Sequence, residues 1–222
     1  METQVVGSGG SRTARAKRWS LSGYLEAIAG TTAIFNDAVA AYLASGPEAG
    51  CWRHARQICE RLGSLDQIRQ RVDGEGLSKE VPDVWMAAEK QLPGLHRLLQ
   101  DMKRQVTGFA IEAGFTGPDR RVPSALVPDI QALSDEVCAA VNALLKRYRS
   151  GGLAQESGDD DDGMSVGWHE SRADRLSTCL IKRILADEQL AVESKLPLTQ
   201  LVEEIDRVAD YAQSVASQLT VN

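Results

Sequence analysis

The sequence predicts an all-α fold. Of the 222 residues, 43% are hydrophobic but only 5% are aromatic. Ala, Leu, Glu, Gln and Arg are abundant, and these residues lose little side-chain freedom in a helix. Apolar residues recur at helical spacing between clusters of Gly, Pro and Ser. We therefore expect a series of amphipathic helices that bury one large core or two small ones.

Six helical segments are predicted between these breakers. The first helix ends at Gly46 and Pro47. The third starts after Pro82, which suits a first helical position, and Pro93 is expected to kink it. The predicted helices cover about 21–44, 49–72, 83–109, 123–148, 166–186 and 198–219.

Two polar segments are expected to lie outside the helices. Residues 1–20 form a Gly- and Ser-rich leader with a basic cluster from Arg12 to Arg18. The leader lacks the apolar core of a signal peptide, so we interpret it as a disordered tail that precedes a helical domain over 21–222. Residues 151–163 contain the acidic run Asp159–Asp162, which predicts a flexible loop. An acidic run can also bind cations, although we favour the solvated loop.

Composition restricts the partners and the compartment. A net charge of −6 provides no basic patch for nucleic acid or an anionic bilayer. No apolar run approaches the roughly 18 residues of a membrane-spanning helix, so direct membrane insertion is not expected. The four cysteines lack CxxC spacing and fit a reducing compartment. We expect a cytoplasmic protein, which reaches the inner membrane only through a partner.

The two halves of the chain share landmarks at one offset. Glu60 in helix two matches Glu170 in helix five, and His96 in helix three matches Asp206 in helix six, each pair 110 residues apart. A common offset at two places indicates an internal duplication. The repeats would cover 21–115 and 122–219, each as an antiparallel three-helix unit. Chance similarity between amphipathic helices is the alternative.

Two pairs of carboxylates stand out in the second half. Glu170 and Asp174 are four residues apart, as are Asp206 and Asp210, so each pair lies on one helix face. If helices five and six are antiparallel, the four carboxylates can converge on hard cations. Alternatively, each pair marks a solvated flank, with nearby arginines reducing the repulsion.

These residues resemble the PhoU-like family, in particular its divergent branch of phosphate-transport regulators associated with Pit-type phosphate permeases. The resemblance spans about 21–219 and is best in His169–Asp174 and Leu201–Ala212. The family carries a Glu/Asp-x-x-x-Asp motif in each half, associated with multinuclear clusters that often contain iron or zinc. The resemblance implies a six-helix bundle of two antiparallel three-helix repeats. The metal ligands that it implies are Glu170, Asp174, Asp206 and Asp210.

The first half departs from this motif. Glu60 is kept, but Ser64, His96 and Gln100 stand where the family has carboxylates. His96 can still bind a transition metal through its imidazole, although a packed or surface histidine is the commoner case. A degenerate second site would therefore use Glu60 and His96.

The function implied by the resemblance is that of a cytoplasmic accessory or regulatory protein of inorganic phosphate transport, acting by interaction with a Pit-type permease. One alternative is a ferritin-like carboxylate bundle, but such sites use Glu-x-x-His pairs and the sequence has none. A purely structural interaction scaffold is another. No P-loop, dinucleotide fingerprint, HExxH or nucleophile elbow is present, so we do not expect an enzyme. The sequence leaves the oligomeric state open and permits a homo-oligomer.

Overall fold

The computed structural model describes residues 21–46, 50–75, 92–112, 122–149 and 165–220. Within these ranges the chain forms six α-helices and no strand, which confirms the predicted all-α class. The predicted tail, the helix start at Pro82 and the acidic loop 151–163 lie outside the described residues. The helices are α1 (Leu21–Ser45), α2 (Cys51–Glu75), α3 (Leu92–Glu112), α4 (Val127–Arg149), α5 (Val166–Ala186) and α6 (Val192–Thr220).

Most helix bounds lie within a few residues of the predicted ones, although α2 continues to Glu75 and α4 starts at Val127 rather than at 123. The largest difference is at α6. This helix starts at Val192 rather than Leu198 and includes Pro197. Ser194 N donates to Ala191 O at 2.9 Å, so the first turn closes before the proline. A proline this close to a helix start removes only one intrahelical hydrogen bond. The predicted start at about Leu198 was therefore wrong by six residues.

Helices that follow one another pack antiparallel in the second half. Arg183 of α5 pairs with Asp129 of α4, while His169 at the other end of α5 pairs with Glu136. Ser177 likewise lies opposite Asp206 of α6. Among the described residues, α1 contacts α2 and α3, and α4 contacts α5 and α6. The two groups of three helices meet through α1–α4 and α3–α6.

The α3–α6 contact is tight at one end. A Cβ atom placed on Gly94 would come within 2.9 Å of Val215 Cγ2. Further along the same pair of helices, Arg97 lies over the Tyr211 ring and Arg104 pairs with Glu204 at 2.6 Å. At Gly108 an added Cβ would meet nothing within 4 Å. The two helices are therefore in close contact near Gly94 and leave open space near Gly108.

A single apolar core runs through the bundle, and each helix contributes residues to it. Burying a large aliphatic or aromatic side chain stabilises a fold by about 1.5–3 kcal/mol. The largest side chains with almost no exposed surface are Leu25, Ile28, Phe35, Ile58, Leu95, Leu98, Leu99, Met102, Ile130, Leu133 and Leu144.

The sequence led us to expect no segment with the length and hydropathy of a membrane-spanning helix. Helix α1 contradicts this expectation. Gly23–Ser45 meets that criterion with a mean hydropathy of 1.2, by length and composition alone. In the structure 44% of this window is buried within the protein. Ile28, Phe35 and Val39 of α1 are fully buried. Contacts with α2, α3 and α4 bury this part of the helix.

Replacing Phe35 with alanine should lower the free energy of unfolding by about 3–5 kcal/mol, because it opens a cavity in a fully buried position. Trp52 is the matched control, since it is 61% exposed at the start of α2. Trp52→Ala should change the free energy of unfolding by no more than about 0.5 kcal/mol. Urea denaturation measures both values, and equal losses in the two variants would contradict the proposed core.

Candidate metal centre

The start of α5 is fixed by a side-chain cap. The hydroxyl of Ser165 accepts a hydrogen bond from Trp168 N at 3.1 Å, which satisfies one of the free N–H groups of the first turn. Just beyond the cap, His169 Nδ1 lies 2.5 Å from Glu136 Oε1, which ties α5 to α4. The cap and this contact set the helical register of Glu170.

The short connection between α5 and α6 fixes the end of α5 relative to the start of α6. Asp187 Oδ1 accepts a hydrogen bond from Gln189 N at 2.8 Å. Lys195 Nζ donates to Leu185 O at 2.8 Å. These contacts fold α6 back along α5, so that the carboxylates of the two helices reach the same level.

Three of the four predicted metal ligands come together. Glu170, Asp174 and Asp210 each offer an oxygen, and these oxygens all lie within 4.8 Å of one another. Asp174 and Asp210 are exposed and Glu170 is half-buried. We call these three residues the acidic triad. The carboxylate pairs of α5 and α6 therefore share one side of the bundle, as predicted from an antiparallel hairpin.

The fourth residue, Asp206, lies beside the triad but deeper in the protein. Its Oδ2 is 2.6 Å from Ser177 Oγ. Its Oδ1 is buried and has no hydrogen-bond partner among the described residues. Asp206 thus retains an unsatisfied oxygen next to the triad. This oxygen costs free energy, because burial removes its hydrogen bonds to water and no protein group replaces them.

Burial and neighbouring negative charge disfavour ionisation in this cluster. Desolvation is the main cause that raises the pKa of Asp206 to about 6, and Asp174, Asp210 and Glu170 add to it. The hydrogen bond from Ser177 acts in the opposite direction. Desolvation also raises the pKa of Asp210, with a further contribution from Asp174, while Arg207 lowers it. The four carboxylates are thus electrostatically coupled.

The arginines that would neutralise a solvated flank are mostly engaged with other acids. Arg172 Nε pairs with Glu136 Oε2 at 3.0 Å, and Arg207 pairs with Glu204 at 2.8 Å. Within the described part of the chain, no arginine or lysine forms an ion pair with the triad or with Asp206. The negative charge of the cluster is therefore only partly compensated.

The donor set fits a hard cation. Ligand oxygens around one ion are separated by about 3–4.2 Å for magnesium and by up to about 4.8 Å for calcium, given their usual metal–oxygen distances. The spacing in the triad allows one such ion. Zinc in proteins favours imidazole and thiolate ligands, and the histidine next in sequence, His169, faces Glu136 instead. Calcium, magnesium, manganese or ferrous iron suits the triad better than zinc.

The degenerate second site does not assemble in the same way. Glu60 is exposed and lies 3.8 Å from Arg56 Nε. His96 Nε2 lies 3.5 Å from Asp66 Oδ1 and 2.9 Å from Gln100 Nε2. Among the described residues, only the acidic triad brings three or more potential ligands within reach of one ion.

Two residues at the centre were missed from sequence. Ser177 follows Asp174 by three residues and Glu170 by seven, so helical spacing alone could have placed it on the same face. Glu136 carries no such signal, because it approaches His169 from another helix.

Comparison of the sequence with known protein-family models gives no match, and comparison with curated proteins gives none either.

Asp206→Asn should stabilise the metal-free protein at pH 7.5 by roughly 1 kcal/mol. The folded pKa of about 6 lies above the ordinary value of 3.8, so the unfolded chain ionises first and wild-type stability falls as pH rises between these values. A pKa raised from 3.8 to about 6 corresponds to at most about 3 kcal/mol, and the partial exposure of Asp206 reduces this free energy. Below about pH 4 the advantage of the variant should vanish.

Urea denaturation in a chelator at pH 4 and pH 7.5 measures this difference. Glu203→Gln is the matched control, since Glu203 is exposed on the same helix. The free energy of unfolding of Glu203→Gln should equal that of the wild type at both pH values. A loss of stability in Asp206→Asn at pH 7.5 would show that the carboxylate is held by favourable contacts rather than strained.

Proposed function

We propose that this chain is a non-enzymatic, PhoU-like regulator of inorganic phosphate transport, which binds a hard divalent cation and acts on a Pit-type permease from the cytoplasmic side. The observation that carries the proposal is the position of the four carboxylates that the family resemblance singles out. They lie on the facing sides of α5 and α6, and three of them are within reach of one ion.

The proposal includes an internal duplication. The contacts within α1–α3 parallel those within α4–α6, and the two groups meet through α1–α4 and α3–α6. In that scheme α2 and α3 correspond to α5 and α6, and His96 corresponds to Asp206. Superposing residues 21–112 on residues 122–220 tests this part, because a true duplication requires the same helix order and handedness in both halves.

The cation would act as a structural clamp between α5 and α6. Without it, the coupled carboxylates repel one another along the seam. Binding to an assembled site stabilises the folded state, since the unfolded chain holds no comparable site. The face formed by the hairpin would thereby depend on the cation. A regulator that signals through protein contacts can use such a dependence without catalysing a reaction.

Magnesium, manganese or ferrous iron should raise the melting temperature of the wild-type protein. At a metal concentration 100 times the dissociation constant, the stabilisation should be about 2.7 kcal/mol. Asp174→Asn combined with Asp210→Asn should abolish it, because two of the three triad carboxylates lose their charge. The effect should also weaken as pH falls, since protons compete with metal for carboxylates.

Anaerobic calorimetric titration and thermal melting measure this effect, with Glu193→Gln combined with Glu203→Gln as a control of equal charge change. Both control residues are exposed on α6. The control should bind metal like the wild type. Equal responses of the triad variant and the control would leave only the interpretation of a solvated acidic flank.

Affinity purification tests the transport part of the proposal. The tagged full-length chain should recover a phosphate permease from detergent extracts of phosphate-replete or phosphate-starved cells. The triad variant should recover less if the cation shapes the contact surface. Absence of a permease under both conditions would argue against this function while leaving metal binding intact.

A further inference from the structure

Arg207 lies on α6 between the acidic triad and the contact with α3. It follows Glu204 by three residues and precedes Asp210 by three. Residues three apart on a helix are neighbours on its surface. Asp210 belongs to the triad, whereas Glu204 pairs with Arg104 of α3. The single guanidinium of Arg207 is therefore within reach of two carboxylates that belong to different contacts.

In the structure Arg207 pairs with Glu204 rather than with Asp210. Its Nη2 donates to Glu204 Oε1 at 2.8 Å, and among the described residues no ion pair joins Arg207 to Asp210. The order of the charges favours this choice, because an acid that precedes a base along a helix interacts with it better than an acid that follows. Glu204 Oε2 accepts a hydrogen bond from Arg104 at 2.6 Å, so a second helix holds the same carboxylate.

Arg207 nevertheless remains within electrostatic reach of the triad. Burial raises the pKa of Asp210, and the positive charge of Arg207 lowers it. The side chains of Arg207 and Glu204 are only 37% and 35% exposed, so water screens their charges in part. A cation at the triad and the guanidinium of Arg207 therefore compete for the negative charge of Asp210.

We propose that Glu204 is a positioning residue for the acidic triad, which holds Arg207 away from Asp210 and thereby raises the affinity of the triad for a divalent cation. This inference rests on the cation site of the proposed function and concerns what sets its affinity. Without Glu204, the guanidinium of Arg207 turns to Asp210 and opposes the cation.

Glu203 separates this role from the general attraction of any nearby acid for a cation. At 3.6 residues per turn, Glu203 lies about 20° from Asp210 around α6, whereas Glu204 lies about 120° away. Glu203 is exposed, and among the described residues it forms no ion pair with an arginine. General attraction predicts similar losses of affinity for Glu203→Gln and Glu204→Gln. The proposed role predicts a loss for Glu204→Gln alone.

Calorimetric titration of the full-length chain with Mn²⁺ tests the proposal, at about 0.02 M ionic strength, where surface charges are weakly screened. Glu204→Gln should bind Mn²⁺ about threefold to tenfold more weakly than the wild type, since Arg207 then competes for Asp210. Arg207→Gln should bind it at least about threefold more tightly. The affinity of Glu203→Gln should stay within about twofold of the wild type.

The double variant of Glu204→Gln with Arg207→Gln separates positioning from structural support. If Glu204 acts through Arg207, it has nothing to position once Arg207 is removed, so the double variant should bind Mn²⁺ as tightly as Arg207→Gln. A residue that only supported the fold would lower the affinity equally in both backgrounds.

An equal loss in both backgrounds would overturn the proposal, as would equal losses for Glu203→Gln and Glu204→Gln. Either result, with Mn²⁺ still bound by the wild type, would leave the cation site of the proposed function standing. Absence of Mn²⁺ binding by the wild type would overturn both the cation site and the role of Glu204.

Discussion

The antiparallel packing of α5 against α6 is the interaction on which the candidate centre depends. Ala173 of α5 and Ala209 and Ala212 of α6 are fully buried. Glu170, Asp174 and Asp210 are at the solvent-facing edge of the seam, where their oxygens come within 4.8 Å of one another. The free energy of apolar packing holds together a cluster that electrostatic repulsion would otherwise separate. The packing of the two helices brings the carboxylates together, and a bound cation would stabilise this arrangement further.

Much of the fold follows from local sequence information. The predicted bounds of α5, about 166–186, agree with the structure, in which Ser165 caps one end and Asp187 ends the other. The four-residue spacing of Glu170 and Asp174, and of Asp206 and Asp210, placed each pair on one face. Spacing along one helix cannot show how deeply a residue lies relative to a neighbouring helix. From the sequence, all four carboxylates were predicted to be equivalent ligands. In the structure, Asp206 lies deeper in the protein than the other three and accepts a hydrogen bond from Ser177.

Long-range contacts account for what the sequence could not predict. The hydropathy of α1 marks an apolar helix but does not distinguish a lipid environment from the interior of a bundle. The unpaired amide of Gln105 depends on how α3 meets α6, and the two helices are separated by 79 residues of chain, 113–191. The start of α6 depends on whether its first turn closes before Pro197, which the contact of Ser194 with Ala191 decides.

The uneven seam between α3 and α6 has a mechanical consequence. Gly94 against Val215 is the closed end, and the space beside Gly108 is the open end. A side chain larger than glycine at position 94 would press on Val215 and push α3 away from α6 at that end. Because α3 and α6 belong to different groups of three helices, such a change would also alter how the two groups pack against each other. Gly94 therefore sets how closely the two groups can approach.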